Sequence, residues 1–210
     1  DRYPSIPAVL DDIAARYPDK VGYTNMDCGL TYSRTAALTK ELAAYLQSLG
    51  LKPGDRVAIM MPNLLQYVIA MYACLRAGYI VVNINPLYTS REVNGTLRDS
   101  EAKAIIIIEN FAKTLQNALP GTKCEHIITI AVGGLFPFFK RTLVNFVVRK
   151  VKKMVPEYSL PNAVGFNEAL EIGRRHGFTA HEIHNTDIAF LQYTGGTTGV
   201  AKGAILPHRN

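Results

Sequence analysis

The chain has 210 residues, of which 48% are hydrophobic and 19% charged, enough for one substantial core or one large domain cut short, and unlike a disordered segment. A formal net charge of +6 favours anionic partners but does not choose among nucleotide, nucleic acid and lipid. The three cysteines, Cys28, Cys74 and Cys124, are widely spaced with no CxxC, which speaks against a disulfide framework and for a reducing cytosol; no apolar run reaches the roughly 18 residues of a membrane span.

The opening DRYPSIPAVLDD is polar and proline-punctuated, unlike a signal peptide. Residues 8–17 carry Val9, Leu10, Ile13 and Tyr17 at helical spacing, and Pro18 closes that helix. A stronger helix is expected over 31–50. There Leu38, Leu42, Tyr45, Leu46 and Leu49 share one face, Ser33 can cap the start and Gly50 the end. Lys52-Pro53-Gly54-Asp55 reads as a turn that Asp55 and Arg56 pin, and 56–61 as a short apolar strand. A helix apolar nearly all round follows over 64–77, stopped by Gly78, and 79–83 is the next strand. Thr89-x-x-Glu92 has the form of a capping box opening a third helix. Residues 104–108 (AIIII) form a third strand, 110–119 a helix and 126–130 a fourth strand.

The strands are continuous apolar runs separated by helices, the pattern of a mostly parallel sheet covered on both faces. The fold class is therefore α/β, a doubly wound sheet with flanking helices. The rhythm breaks at Gly133-Gly134. A basic and apolar segment, 135–160, is read as an insertion, and 185–210 returns to strand, loop, strand. Residues 1–184 are expected to form a first α/β subdomain and 185–210 the start of the next. The chain lacks an initial Met and ends at LPHRN, so it is expected to be a piece of a longer protein.

The loop of that last segment is Tyr193-Thr194-Gly195-Gly196-Thr197-Thr198-Gly199-Val200-Ala201-Lys202-Gly203. Glycines let a backbone adopt positive φ and come close to a ligand, and successive N–H groups can then hold phosphate oxygens. Thr194, Thr197 and Thr198 add hydroxyls, and Lys202 adds a cation after a short reach. A Walker A loop needs Gly-Lys-Ser/Thr in succession; here two residues separate Gly199 from Lys202.

With its flanks, LQYTGGTTGVAKGAILPHRN (191–210) resembles the phosphate-loop signature of the adenylate-forming superfamily, which includes acyl-CoA synthetases, peptide-synthetase adenylation domains and luciferases. Gly196 stands where Ser or Thr is often found, and Ala201 replaces the common Pro. LTYSRTAALTKELAAYLQSLGLKPGDRVAIMMPN (30–63) and LRAGYIVVNINPLYTSRE (75–92) are similar to two further blocks of that family. The Asn-Pro-Leu-Tyr wording, the Gly-Gly pair and the Val-Asn-Phe-Val-Val stretch look most like bacterial long-chain fatty acid:CoA ligases.

The resemblance implies the N-terminal portion of the large domain of such an enzyme. It also implies a two-step reaction: ATP and a long-chain fatty acid give an acyl-adenylate and pyrophosphate, then CoA displaces AMP. It assigns Thr194, Gly195, Gly196, Thr197, Thr198, Gly199 and Lys202 to the ATP phosphates, Lys202 and Thr198 to catalysis, and Thr194 to Mg²⁺. The family's adenine, ribose and carboxylate metal sites and its C-terminal lysine fall beyond Asn210, so this chain alone is expected to be inactive. Two rivals stay open: an enzyme that hands its acyl group to a carrier protein, and a non-catalytic membrane-surface binding module.

Residues 135–156 combine Phe138, Phe139, Leu143 and Phe146 with Lys140, Arg141, Arg149, Lys150, Lys152 and Lys153. This is either a surface helix packed on the core with a basic rim or an amphipathic helix lying in a membrane interface. A cytoplasmic enzyme peripheral on the inner face of the membrane would suit the second reading. The scattered tyrosines make no stacking platform, so nucleic acid is not an expected partner. His181-x-x-His184 lacks the ligands to complete a metal site and is read as an exposed loop pair, His208 as structural or pocket-lining. A Gly-x-Ser-x-Gly nucleophile motif is absent.

Overall fold

The computed structural model describes residues 3–194 and 202–209, the side chains of Thr194 and Lys202 excepted. The chain opens with α1 (Ile6–Arg16), which packs against the two helices that follow. Next come β1 (Val21–Asn25) and β2 (Cys28–Thr31), an antiparallel hairpin not anticipated from the sequence. Its turn residues, Met26 and Asp27, both have positive φ, 48° and 57°. Such two-residue turns usually announce themselves as Asn-Gly or Asp-Gly, and Met-Asp does not.

Helix α2 (Tyr32–Ser48) is capped by Thr31, not Ser33: the Thr31 hydroxyl accepts the Arg34 N–H at 3.2 Å. Thr31 ends β2, so its backbone is extended (φ −71°, ψ 160°), the geometry a cap requires. Beyond the Lys52–Asp55 turn come β3 (Arg56–Met60), α3 (Leu65–Arg76), β4 (Ile80–Asn83), α4 (Ser90–Ser100) and β5 (Ala104–Ile108). Gly78 ends the α3 segment at φ +76°, and the Thr89–Glu92 capping box forms as expected, with the Glu92 carboxylate accepting the Thr89 N–H at 2.7 Å. A short 3₁₀ turn, Glu109–Phe111, leads into α5 (Ala112–Ala118), followed by β6 (His126–Ile130).

Helix α6 (Phe138–Phe146) continues as one wide π turn, Val147–Val151. Then come β7 (Ala163–Gly165) and α7 (Phe166–His176), where the sequence reading placed no element, and finally β8 (Ile188–Thr194) and β9 (Lys202–Pro207).

Among the described residues seven strands form one sheet in the order β7-β6-β5-β3-β4-β8-β9, parallel throughout except for β9, which runs antiparallel to β8. Side chains alternate across it. Val57, Ile59, Ile106 and Ile128 join a core under α2, α3 and α7; Ala58, Met60, Ile105 and Ile107 join a second core under α4 and α5. Helices thus cover both faces, which is why β5 can be apolar at every position, and the doubly wound α/β expectation stands. Strands β8 and β9, from the segment starting at 185, extend this same sheet.

Candidate functional site

Strands β3, β4 and β8 run parallel and end at one edge of the sheet. From β3 the chain turns to α3 on one face, and from β4 to α4 on the other. Open α/β sheets bind ligands outside the carboxyl ends of their strands.

Polar side chains gather at this edge. Asn83, last in β4, is in register with Gln192 of β8, and its Nδ2 donates to Gln192 Oε1 at 3.1 Å. The Tyr67 hydroxyl, from α3, donates to Asn83 Oδ1 at 3.1 Å. Burial raises the Tyr67 phenol above its ordinary pKa, so it stays a neutral donor. On the other face the buried Tyr193 hydroxyl donates to Asp99 Oδ2 of α4 at 2.5 Å. Burial first, then the Asp99 carboxylate, pushes that phenol far up. The Tyr193 ring lies over Gly203, its partner in β9; a Cβ at 203 would sit 3.1 Å from the ring.

Thr194 and Lys202 pair across β8 and β9, so the strands bring the two ends of the Gly/Thr-rich loop together at the carboxyl edge. Gly195, Gly196, Thr197, Thr198 and Gly199 lie outside the described residues. The loop after β4 stands at the same edge, folded by the Asn85 side chain, whose Oδ1 accepts the Leu87 N–H at 3.0 Å.

Tyr67, Asn83 and Gln192 are neutral hydrogen-bonding groups, and the Asp99 carboxylate is taken up by Tyr193. Such a floor does not repel a polyphosphate entering beside it. Among the described residues no group of three or more His, Cys, Asp or Glu could hold a metal ion. Mg²⁺ commonly rests on one or two protein oxygens plus substrate phosphates, so a lone Thr194 hydroxyl beside a nucleotide fits that ion's chemistry. Sequence reasoning passed over Asn83, Gln192, Tyr67 and Asp99. For the first two a signal existed: each is a polar residue near the carboxyl end of an otherwise apolar strand.

His208 sits elsewhere. It is buried beside the amino end of β8, where its N–H donates to the Asp187 carbonyl at 3.0 Å and its Nδ1 accepts the Ile6 N–H at 3.3 Å. Burial lowers its pKa, and with Gly54, Gly78 and Asp187 it lines a hollow of about 360 Å³. His181 and His184 are exposed. A hollow of about 560 Å³ between α1 and the 178–185 stretch is also remote from the loop ends.

A family profile described as "AMP-binding enzyme" matches residues 10–210. The chain belongs to the AMP-binding enzyme family. It is 52% identical to a long-chain-fatty-acid–CoA ligase of Yersinia pestis over all of this chain and 38% of that protein. It is 36% identical to one of Bacillus subtilis over 98% of this chain and 37% of that protein. The solved anthranilate CoA ligase AuaEII, in complex with anthranoyl-AMP, superposes with a TM-score of 0.77 at 22% identity, over 99% of this chain and 35% of that one. That last likeness concerns the fold alone. The chain thus spans little more than a third of the length of the relatives it matches.

Proposed function

We propose that the whole protein is an AMP-forming long-chain fatty acid:CoA ligase. The observation that carries this reading is the pairing of Thr194 with Lys202 at the carboxyl edge, in a chain half identical to enzymes of that name. A fatty carboxylate oxygen attacks the α-phosphorus of ATP and pyrophosphate leaves; the CoA thiolate then attacks the acyl carbon and AMP leaves.

In this reading the backbone N–H groups of Gly195, Gly196 and Gly199 and the hydroxyls of Thr197 and Thr198 hold the phosphates. Lys202 meets the charge that builds as pyrophosphate departs. Mg²⁺, bound with help from Thr194, would supply Lewis-acid neutralisation of the phosphate oxygens. The floor of Tyr67, Asn83 and Gln192 keeps both loop-bearing strand ends in register. We take 1–184 as one unit and 185–210 as the start of the next, with β8 and β9 joining them. A fatty acid partitions into bilayers, so the inner face of the cytoplasmic membrane is where such an enzyme would meet it.

The full-length protein should exchange pyrophosphate into ATP only when a long-chain fatty acid is added. Lys202→Ala or Thr198→Ala should each lower that exchange by about 10²–10³-fold, the range for losing one preorganised donor to developing charge. No exchange with any carboxylate tried would refute the ligase reading. Transfer of the acyl group to a carrier protein instead of CoA would replace the second step alone.

A further inference from the structure

Strand β8 is fastened at three successive residues, each by a different means. Gln192 meets Asn83 on the face under α3, and Thr194 pairs with Lys202 of β9. Between them Tyr193 points the opposite way, into the second core, which Val93 and Leu97 of α4 also line. Tyr193 is 7% exposed, and its hydroxyl donates to the Asp99 carboxylate of α4 at 2.5 Å. It pairs with Gly203, one rung inside the Thr194–Lys202 pair where the Gly/Thr-rich loop leaves and rejoins the sheet.

Packing alone does not call for this contact. A phenylalanine would fill the same apolar space, whereas a phenol taken out of water must find a partner. The partner it finds is an acid in the last turn of α4, where the carbonyl end of the helix dipole disfavours negative charge. From the other side the ring is closed in by Gly203, where an added Cβ would lie 3.1 and 3.2 Å from Cζ and Cε2 of Tyr193. The ring therefore has one seat, between α4 and the backbone of β9.

Helix α4 gives that seat a firm footing. Its start is closed by the Thr89–Glu92 capping box. Midway, Asn94 Nδ2 donates to the Ala118 carbonyl at the end of α5 at 2.7 Å and to the Pro120 carbonyl at 2.9 Å, tying the two helices on this face together. Asp99 thus transmits the position of a helical layer to the end of β8.

We propose that Asp99 is a positioning residue for the Gly/Thr-rich loop: through the Tyr193 hydroxyl it fixes the strand ends from which that loop departs. The consequence for turnover rests on the ligase reading, in which Lys202 and the loop donors meet the charge on departing pyrophosphate. Donors of that kind lose about 10²-fold in rate for a misplacement of about 1 Å.

The test uses the full-length protein and follows fatty-acid-dependent pyrophosphate exchange together with melting temperature. Tyr193→Phe and Asp99→Ala should each lower kcat by about tenfold or more while KM for ATP changes by less than about threefold, the pattern of donors misplaced in the transition state. Asp99→Asn keeps an acceptor for the phenol and should retain most of the wild-type rate. Removing both partners leaves no buried group unpaired, so Tyr193→Phe/Asp99→Ala should melt near the wild-type temperature, yet its kcat should stay as low as in the single variants. A merely structural contact predicts the reverse, a rate that recovers with the melting temperature. That result, or a wild-type kcat in Tyr193→Phe, would overturn the proposal.

Tryptic cleavage after Lys202 gives a readout independent of turnover. It should be about tenfold faster in Tyr193→Phe and in the double variant, the shift expected when a hydrogen bond to a charged group no longer holds the strand ends closed. Unchanged cleavage would also overturn the proposal. If no carboxylate supports exchange in the wild-type protein but cleavage still accelerates in the variants, the ligase reading fails and the hold of Asp99 on the strand ends stands.

Discussion

The Asp55 carboxylate accepts the Lys52 N–H at 2.8 Å, closing the Lys-Pro-Gly-Asp turn, and meets the Lys103 ammonium at 2.8 Å. Partial burial alone would raise its pKa. The Lys103 contact, the Lys52 N–H and the nearby Arg56 outweigh that and hold it below the usual carboxylate value. A carboxyl with a depressed folded-state pKa contributes stability that is present above its unfolded value, about 4, and is lost as pH falls through the folded value. Asp55→Asn should therefore cost about 1–2 kcal/mol at neutral pH and flatten the loss of melting temperature below about pH 4; an unchanged acid limb would contradict this. The turn is legible in the sequence because Pro and Gly restrict it locally. Lys103 is not, because only the pairing of β3 with β5 brings it near. Likewise Arg56 turns away from the turn it was expected to pin, donating to the Ser100 carbonyl at 2.7 Å and to Glu101 at 2.9 Å.

Helices α2 and α7 cross at Gly173, where an added Cβ would lie 1.8 Å from the Glu41 carbonyl oxygen. The contact is reinforced by Arg174, whose Nε and Nη2 donate to the Glu41 carboxylate at 2.9 and 3.1 Å. Gly173→Ala must push the helices apart and should cost about 1–3 kcal/mol or more in denaturant unfolding. Gly95→Ala, in α4 with nothing within 4 Å of the new Cβ, should instead gain up to about 1 kcal/mol. Gly173 also weakens the helical signal of α7 in the sequence, since a good helix former is absent at the position where the helix packs most closely. Periodicity found α2 because its apolar stripe is long. It found the composition of α6 but left two orientations open, since an apolar face looks the same in sequence whether it points inward or outward.

The sheet distributes stability unevenly. Strands β3 and β5 lie near its middle with helices on both faces, while β9 forms an outer edge. Ile106→Ala, fully buried in β5, should cost about 2–5 kcal/mol. Ile205→Ala, exposed on β9, should change stability by less than about 0.5 kcal/mol, and equal shifts in their denaturant midpoints would contradict this ordering.

The sequence by itself determined the parallel α/β core, because continuous apolar strands can be satisfied only between two helical layers. It also made the Gly/Thr-rich loop stand out, because glycine spacing, hydroxyls and a lysine are local properties. The tertiary structure decided which strands stand side by side: β8 travels past the whole sheet to pair with β4, and that crossing alone brings Gln192 to Asn83 and the loop ends to the carboxyl edge. It also decided that α6 turns Phe139 and Leu143 outward, because the groups that hold Lys140 and Arg149, the Met26 carbonyl and the Glu109 carboxylate, come from distant parts of the chain. Pairings between distant residues follow from closing the sheet and packing its layers, and no local pattern encodes them.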